Sequence, residues 1–220
     1  TTATVETAAP EERIEKKYDE HGIITNEYCY VGDELKYSID YLYETATGTV
    51  RKIKFEGKLD ENGNSILIES ERFEVNELGE LKYYCKKDKK DVLITETTYS
   101  FYDDLTTVWT EVKKDYDGKG GFTAEKKVYN EEGQLTDIYT YDGNTEKSHT
   151  VYSYDENGNI VAVKDVQGQK TAYTYSAAND LIAQTLPNGA VLEYTYDDWH
   201  NPLTATSGTG VAYLFDYDQW

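Results

Sequence analysis

The sequence predicts an all-β fold, an antiparallel meander of β-hairpins joined in series, with regular 21-residue units at its C-terminal end. Three observations carry this expectation. Helix signals are nearly absent from the 220 residues. Short β-prone runs, several alternating apolar with polar, are broken at hairpin intervals by Gly, Asn and Asp. Tyrosines in the last third recur at one constant spacing.

Taken in order, residues 1–12 are largely Thr, Ala and Glu with Pro10, a linker composition. Residues 10–17 are compatible with a short turn of helix, although their charges leave no apolar face. Residues 1–17 are therefore expected as linker or short helix. Methionine is absent throughout, position 1 included, so the chain reads as trimmed. Removal of a secretory signal would leave such a front end, and so would excision of a domain. Residues 18–128 read as an irregular hairpin region, with strand signals at 37–41, 53–55, 66–68, 73–75, 92–94 and 108–112. Turn signals lie at 61–64, 77–80, 117–120 and 131–134. Nothing suggests βαβ crossovers.

Residues 129–220 repeat, and are expected to continue the preceding sheet. Tyr154, Tyr175, Tyr196 and Tyr217 are 21 apart each time, and Tyr152, Tyr173, Tyr194 and Phe215 keep the same step two residues earlier. Gly168, Gly189 and Gly210 follow it too. The position four after the tyrosine reads Gly158, Asn179, His200, residue types that tolerate a left-handed backbone. Residues i and i+2 of a strand share a face, so each Tyr-x-Tyr places two rings on one side. With Ile160, Val163, Leu181 and Leu203 interleaved, this makes an aromatic and aliphatic stripe across the sheet. Tyr129, Gly133 and Gly143 extend the period backward. The next tyrosine then comes four residues late, so 144–150 is expected as a lengthened hairpin loop.

Tyr154-Asp155-Glu156-Asn157-Gly158-Asn159-Ile160, followed by Asp165, Gly168 and Tyr173-Thr174-Tyr175, resembles the YD repeat, also called the RHS repeat. Leu186-Pro187-Asn188-Gly189 is similar to that family's Asp-Pro-x-x-Gly slot. The third unit departs further, with His200 at the turn glycine, Pro202 in the apolar slot and Ser207-Gly208 for Asp-Pro. The resemblance covers 129–220 well and the front loosely. It implies a curled β-repeat strip and a secreted or cell-surface bacterial protein, of a family whose strips enclose toxins or present binding surfaces. This chain is too short to enclose a cargo and lacks the family's aspartyl cleavage segment. Tyr217-Asp218-Gln219-Trp220 reads either as the end of the strip, plugged by Trp220, or as a cut through a longer array.

Composition excludes several partners. With 42 acids against 22 bases the formal net charge is −20, which repels nucleic-acid phosphates and anionic membrane surfaces. No apolar run approaches the ~18 residues of a membrane span, so no membrane insertion of this segment is expected. Aromatic residues are 14% of the chain, more than disordered chains carry. A globular chain of this length is expected to bury roughly 70% of its unfolded surface. Cys29 and Cys85 are compatible with one disulfide or with two buried thiols.

Few residues point to chemistry. Asp60-Glu61-Asn62-Gly63-Asn64 and the similar 155–159 segment space oxygen ligands as calcium would want. Their Gly is fourth rather than sixth, which fits a turn closed by local hydrogen bonds instead. His21, His149 and His200 are isolated and expected in solvated turns, without zinc-site spacing. No nucleophile elbow or phosphate loop occurs, and no cofactor is implied. Trp109, Trp199 and Trp220 are the binding candidates, able to stack on sugars or anchor a protein, or else to pack at sheet edges. The reading is a non-catalytic extracellular β-repeat module for binding, adhesion or scaffolding, with an unknown protein or carbohydrate at a cell surface as partner. The alternatives are a structural fragment of a longer toxin-type RHS shell, and a carbohydrate-active enzyme or glycan-binding module.

Overall fold

Turn residues dictate the hairpins, and the hairpins account for nearly the whole chain. The computed structural model describes residues 11–210, 212–215 and 217. Among these it forms seventeen strands and no helix, the antiparallel meander that the sequence predicts. The turn glycines have a left-handed backbone, as at Gly63 (φ 81°), Gly79 (89°) and Gly158 (86°). Asn179 (69°) and His200 (67°) adopt it without being glycine.

The strands group into two compact units, residues 1–106 with 112–122, and 107–111 with 123–220. In the first, β1 (Glu12–Tyr18), β2 (Ile24–Val31), β3 (Glu34–Glu44), β4 (Thr49–Leu59), β5 (Ser65–Val75), β6 (Leu81–Asp88) and β7 (Leu93–Phe101) pair each with the next. β8 (Val108–Tyr116) contributes to both units. In the second, β9 (Phe122–Tyr129), β10 (Leu135–Asp142), β11 (Thr145–Tyr154), β12 (Ile160–Lys164) and β13 (Lys170–Tyr175) pair in series. The series runs on through β14 (Leu181–Thr185), β15 (Val191–Tyr196), β16 (Pro202–Ser207) and β17 (Ala212–Leu214).

Three expectations are corrected. Residues 12–18 are neither linker nor helix but strand β1. Its backbone pairs with β2, Ile14 lies opposite Cys29, and Arg13 and Lys17 stack on the rings of Tyr30 and Tyr28 at 4.6 and 4.9 Å. These contacts supply the anchoring that an apolar face would otherwise give. Residues 144–150 are not a loop. Asp142 pairs directly with Thr145, so the hairpin closes on Gly143 and Asn144, and the extra residues lengthen β10 and β11 instead. Finally, the chain exposes 15407 Å², where a compact monomer of this length exposes roughly 10,300 Å². It buries about 58% of its unfolded surface rather than ~70%. Cys29, Cys85 and Ala162 are the buried apolar side chains among the described residues. Most of the described side chains are accordingly half-exposed or exposed.

The cysteines form no bridge; both are free and buried. The register explains this. Cys29 pairs with Tyr37, and Cys85 with Arg72. Followed across the ladder, those rows lie on opposite faces, four strands or ~19 Å apart, beyond disulfide reach.

Among the described glycines the least room for a side chain is at Gly57 in β4, where an added Cβ would lie 1.9 Å from the Leu35 carbonyl oxygen. Backbone cannot move aside as a flexible side chain does, so Gly57→Ala is expected to cost at least ~3 kcal/mol, the upper range for overpacking. The midpoint of urea unfolding checks this.

Candidate functional site

The repeats are built from one turn used many times. Asp155 heads the turn at 155–159. Its Oδ1 accepts the N–H groups of Asn157 and Asn159, both at 2.9 Å, and its Oδ2 accepts Asn159 Nδ2 at 3.0 Å. Its backbone N–H donates to the Asn159 carbonyl, and the Gly158 N–H donates to the Asp155 carbonyl. Asp60, Asp88, Asp117, Asp165 and Asp197 head turns with the same two side-chain bonds to the second and fourth N–H. Asn76 and Ser176 do the same with neutral oxygens. The Asp60 and Asp155 carboxylates, which head the two segments that suggested calcium, are thus engaged by backbone N–H groups and by the Asn64 and Asn159 amides. These hydrogen bonds, chiefly with Asn64, Val92, Asn159 and Asn201, hold the carboxyls of Asp60, Asp88, Asp155 and Asp197 below their usual range.

The tyrosines lock one turn to the next. Tyr154, Tyr175, Tyr196 and Tyr217 donate their hydroxyls to the carbonyls of Leu135, Ile160, Leu181 and Pro202, at 2.6 Å for the first and 2.9 Å for the rest. Each acceptor is the first residue after the preceding turn. Burial raises the hydroxyl pKa of Tyr154, Tyr175 and Tyr196 above the ordinary value, keeping them protonated donors. Register shifts recur where these tyrosines meet Ile160, Leu181 and Pro202. Neighbouring turns also touch: Asn159 Nδ2 donates to Asn179 Oδ1 at 2.9 Å, and His200 Nδ1 lies 3.0 Å from Asp180. Sequence reasoning found the period but not these hydroxyl–carbonyl bonds, which need the register.

Other polar groups are similarly engaged. Glu96 accepts Lys114 Nζ at 2.9 Å, the Tyr116 hydroxyl at 2.8 Å and the Tyr83 hydroxyl at 3.2 Å. Burial opposes its ionisation, yet these donors hold its carboxyl below the usual range. The Tyr116 hydroxyl is pushed up to about 12, by burial first and by Glu96 second. His149 corrects an expectation. It lies in β11 rather than a turn, stacked on Tyr139 with centroids 4.0 Å apart and bonded to Asp137 at 2.8 Å. His21 and His200 do lie in turns.

The three tryptophans do not come together. Trp199 is 80% exposed in the turn at 197–201. Its backbone is fixed there, its N–H donating to Asp197 Oδ1 at 2.9 Å. Trp109 is half-exposed in β8, seven strands earlier than the strand preceding that turn. Trp220 lies outside the described residues.

The RHS Repeat family profile matches residues 129–170, 154–181 and 175–212, in phase with the turn and tyrosine ladder. Residues 129–212 are RHS repeats. Among curated protein sequences none matches this chain. Solved structures similar to it include the Tc holotoxin pore of Photorhabdus luminescens, at 12% identity and a TM-score of 0.36, covering 92% of this chain and 14% of that one. A TcdB2–TccC3–Cdc42 crystal structure is similar at 12% identity and a TM-score of 0.35, covering 90% and 14%. A porin-like protein from Bacteroides uniformis is similar at 12% identity and a TM-score of 0.33, covering 92% and 90%. The RHS segment here is a structural module, all-β and built of repeated hairpins.

Two outcomes are expected from this geometry. Tyr175→Phe removes one donor and leaves the Ile160 carbonyl facing solvent or nothing, at a cost of about 1 kcal/mol; chemical denaturation measures it. For the turns, a carboxyl whose folded pKa is depressed adds stability above its unfolded value of ~3.9. That stability is lost as pH falls through the lower folded value. Asn keeps the acceptor oxygen, as Asn76 shows. Replacing Asp60, Asp88, Asp155 and Asp197 together by Asn is therefore expected to leave the fold intact at pH 7 and to flatten the stability curve below pH ~4, followed by thermal unfolding at stepped pH.

Proposed function

We propose that this chain is a non-catalytic, exported β-repeat module that acts at a cell surface as a scaffold bearing a contact residue. One observation carries the reading: Trp199 stands 80% exposed on a turn whose backbone is held by Asp197. An aromatic side chain on rigid backbone binds at low entropic cost, and Trp is the residue most enriched where interfaces concentrate their energy. Its flat indole suits a sugar ring or an apolar protein pocket. The net charge of −20 favours a neutral or basic partner over a phosphate-rich one.

The scaffold part rests on how the repeat spends its polar groups. Turn carboxylates hold backbone N–H groups, and tyrosine hydroxyls hold carbonyls. This supports a structural role over an acid–base one. The export part is supported by the resemblance to RHS repeats, a family of secreted and cell-surface proteins.

A glycan array and a panel of surface proteins, probed with the wild type and Trp199→Ala, test the proposal. The expected result is saturable binding that falls at least tenfold in the variant while its thermal unfolding is unchanged. Binding that survives Trp199→Ala would remove the contact role, and no binding to any partner would remove the adhesive one.

A further inference from the structure

The chain holds only three arginines among its 220 residues, and two of them face each other. Arg51 of β4 and Arg72 of β5 are direct cross-strand partners, an arrangement that like charges disfavour. On the next strand Arg72 meets Cys85, and on the other side Arg51 meets Leu42, so neither flank supplies an acid. Glu74, two residues from Arg72 on the same face, takes its Nη2 at 2.5 Å and lies 4.0 Å from Lys82 Nζ. That leaves Arg72 Nε buried without a hydrogen-bond partner. Among the described residues no carboxylate pairs with Arg51. In a protein with nearly twice as many acids as bases, two facing arginines with one carboxylate between them, that of Glu74, are a departure from its general electrostatics.

Both arginines line one groove of about 500 Å³ in the first unit, a size suited to a small ligand. Ile53, Leu67, Tyr83 and Cys85 give it an apolar side, with Ser70 beside them. Glu71 also lines it, but its register sets it on the face opposite Arg72 and its carboxylate accepts the Tyr84 hydroxyl at 2.9 Å. Lys87 also lines it but is already paired with Asp91 at 3.0 Å. Guanidinium N–H groups lie in a planar fork that matches a carboxylate in two parallel bonds. Such a ligand would neutralise Arg51 and offer Arg72 an acceptor beyond the one Glu74 supplies. A hydrated inorganic anion would gain nothing from the apolar wall. We propose that this groove binds a small amphiphilic carboxylate, its head between Arg51 and Arg72 and its hydrocarbon or aromatic body along Ile53, Leu67 and Tyr83.

The site is independent of Trp199, so the two proposals fail separately. Calorimetric titration of the full chain with octanoate, 1-naphthoate and inorganic phosphate tests it, with Arg51→Gln and Trp199→Ala as variants. Expected are saturable binding of octanoate or 1-naphthoate by the wild type, a loss of at least tenfold in Arg51→Gln, and no change in Trp199→Ala. Arg51 is exposed and unpaired, so Arg51→Gln is expected to fold with an unchanged or higher Tm. Absence of binding to both organic acids overturns the proposal, as does equal affinity in folded Arg51→Gln. Phosphate binding as tightly as octanoate overturns it too, because the apolar wall would then have no role.

Discussion

The structure depends on one local interaction, a side-chain oxygen at the head of most of its five-residue turns accepting the N–H groups two and four residues on. A hairpin register that slips by one residue turns every side chain to the wrong face. In a thick protein the buried core resists such a slip. Here the buried apolar set among the described residues is two cysteines and one alanine, so the resistance comes from the turns. Each fixes five residues by hydrogen bonds and passes the next strand on in a defined phase. The tyrosines extend that control across strands, because a hydroxyl bonded to the carbonyl after the previous turn can be made in one register only.

This also explains the acidity. Oxygens at turn heads are carboxylates in most cases, and each places a charge at the margin of the sheet. Asn76 and Ser176 show that charge is not required for the geometry. The anionic surface is partly a by-product of how the turns are built, and it concentrates in residues 1–149, which carry 53 of the 64 charged residues. There the aromatic rings are shielded by cations instead, as where Lys52 lies 4.8 Å from the Phe73 ring and Lys54 4.0 Å from that of Tyr37.

Periodicity made the repeat legible, since Tyr154, Tyr175, Tyr196 and Tyr217 announce both its length and its phase. Left-handed positions within the repeat were legible for the same reason, including Asn179 and His200; Asp91 and Leu105, outside it, adopt the same backbone without a periodic signal. Strand β1 was not, because its alternation is of charges, and its value lies in what Arg13, Ile14 and Lys17 meet on a neighbouring strand. The destination of the tyrosine hydroxyls, the place of His149 and the facing of Arg51 by Arg72 all depend on pairing between distant residues. A single sequence records such pairing weakly. The turn that carries Trp199 was legible, but the sequence left open whether its indole stands exposed or packs at a sheet edge.

The turns form two rows, and the rows differ. Along one, at 130–134, 155–159, 176–180 and 197–201, tyrosine hydroxyls and contacts such as Asn159 to Asn179 stitch each turn to its neighbour. On the other lies the hairpin at 142–145, where β10 and β11 have grown longer without disturbing the phase of the later strands. One margin behaves as a spine of fixed pitch; the other is a free hem. Length, and with it new surface, can be added to such a protein at the hem, while an insertion of one residue into the spine would break the count for every unit beyond it.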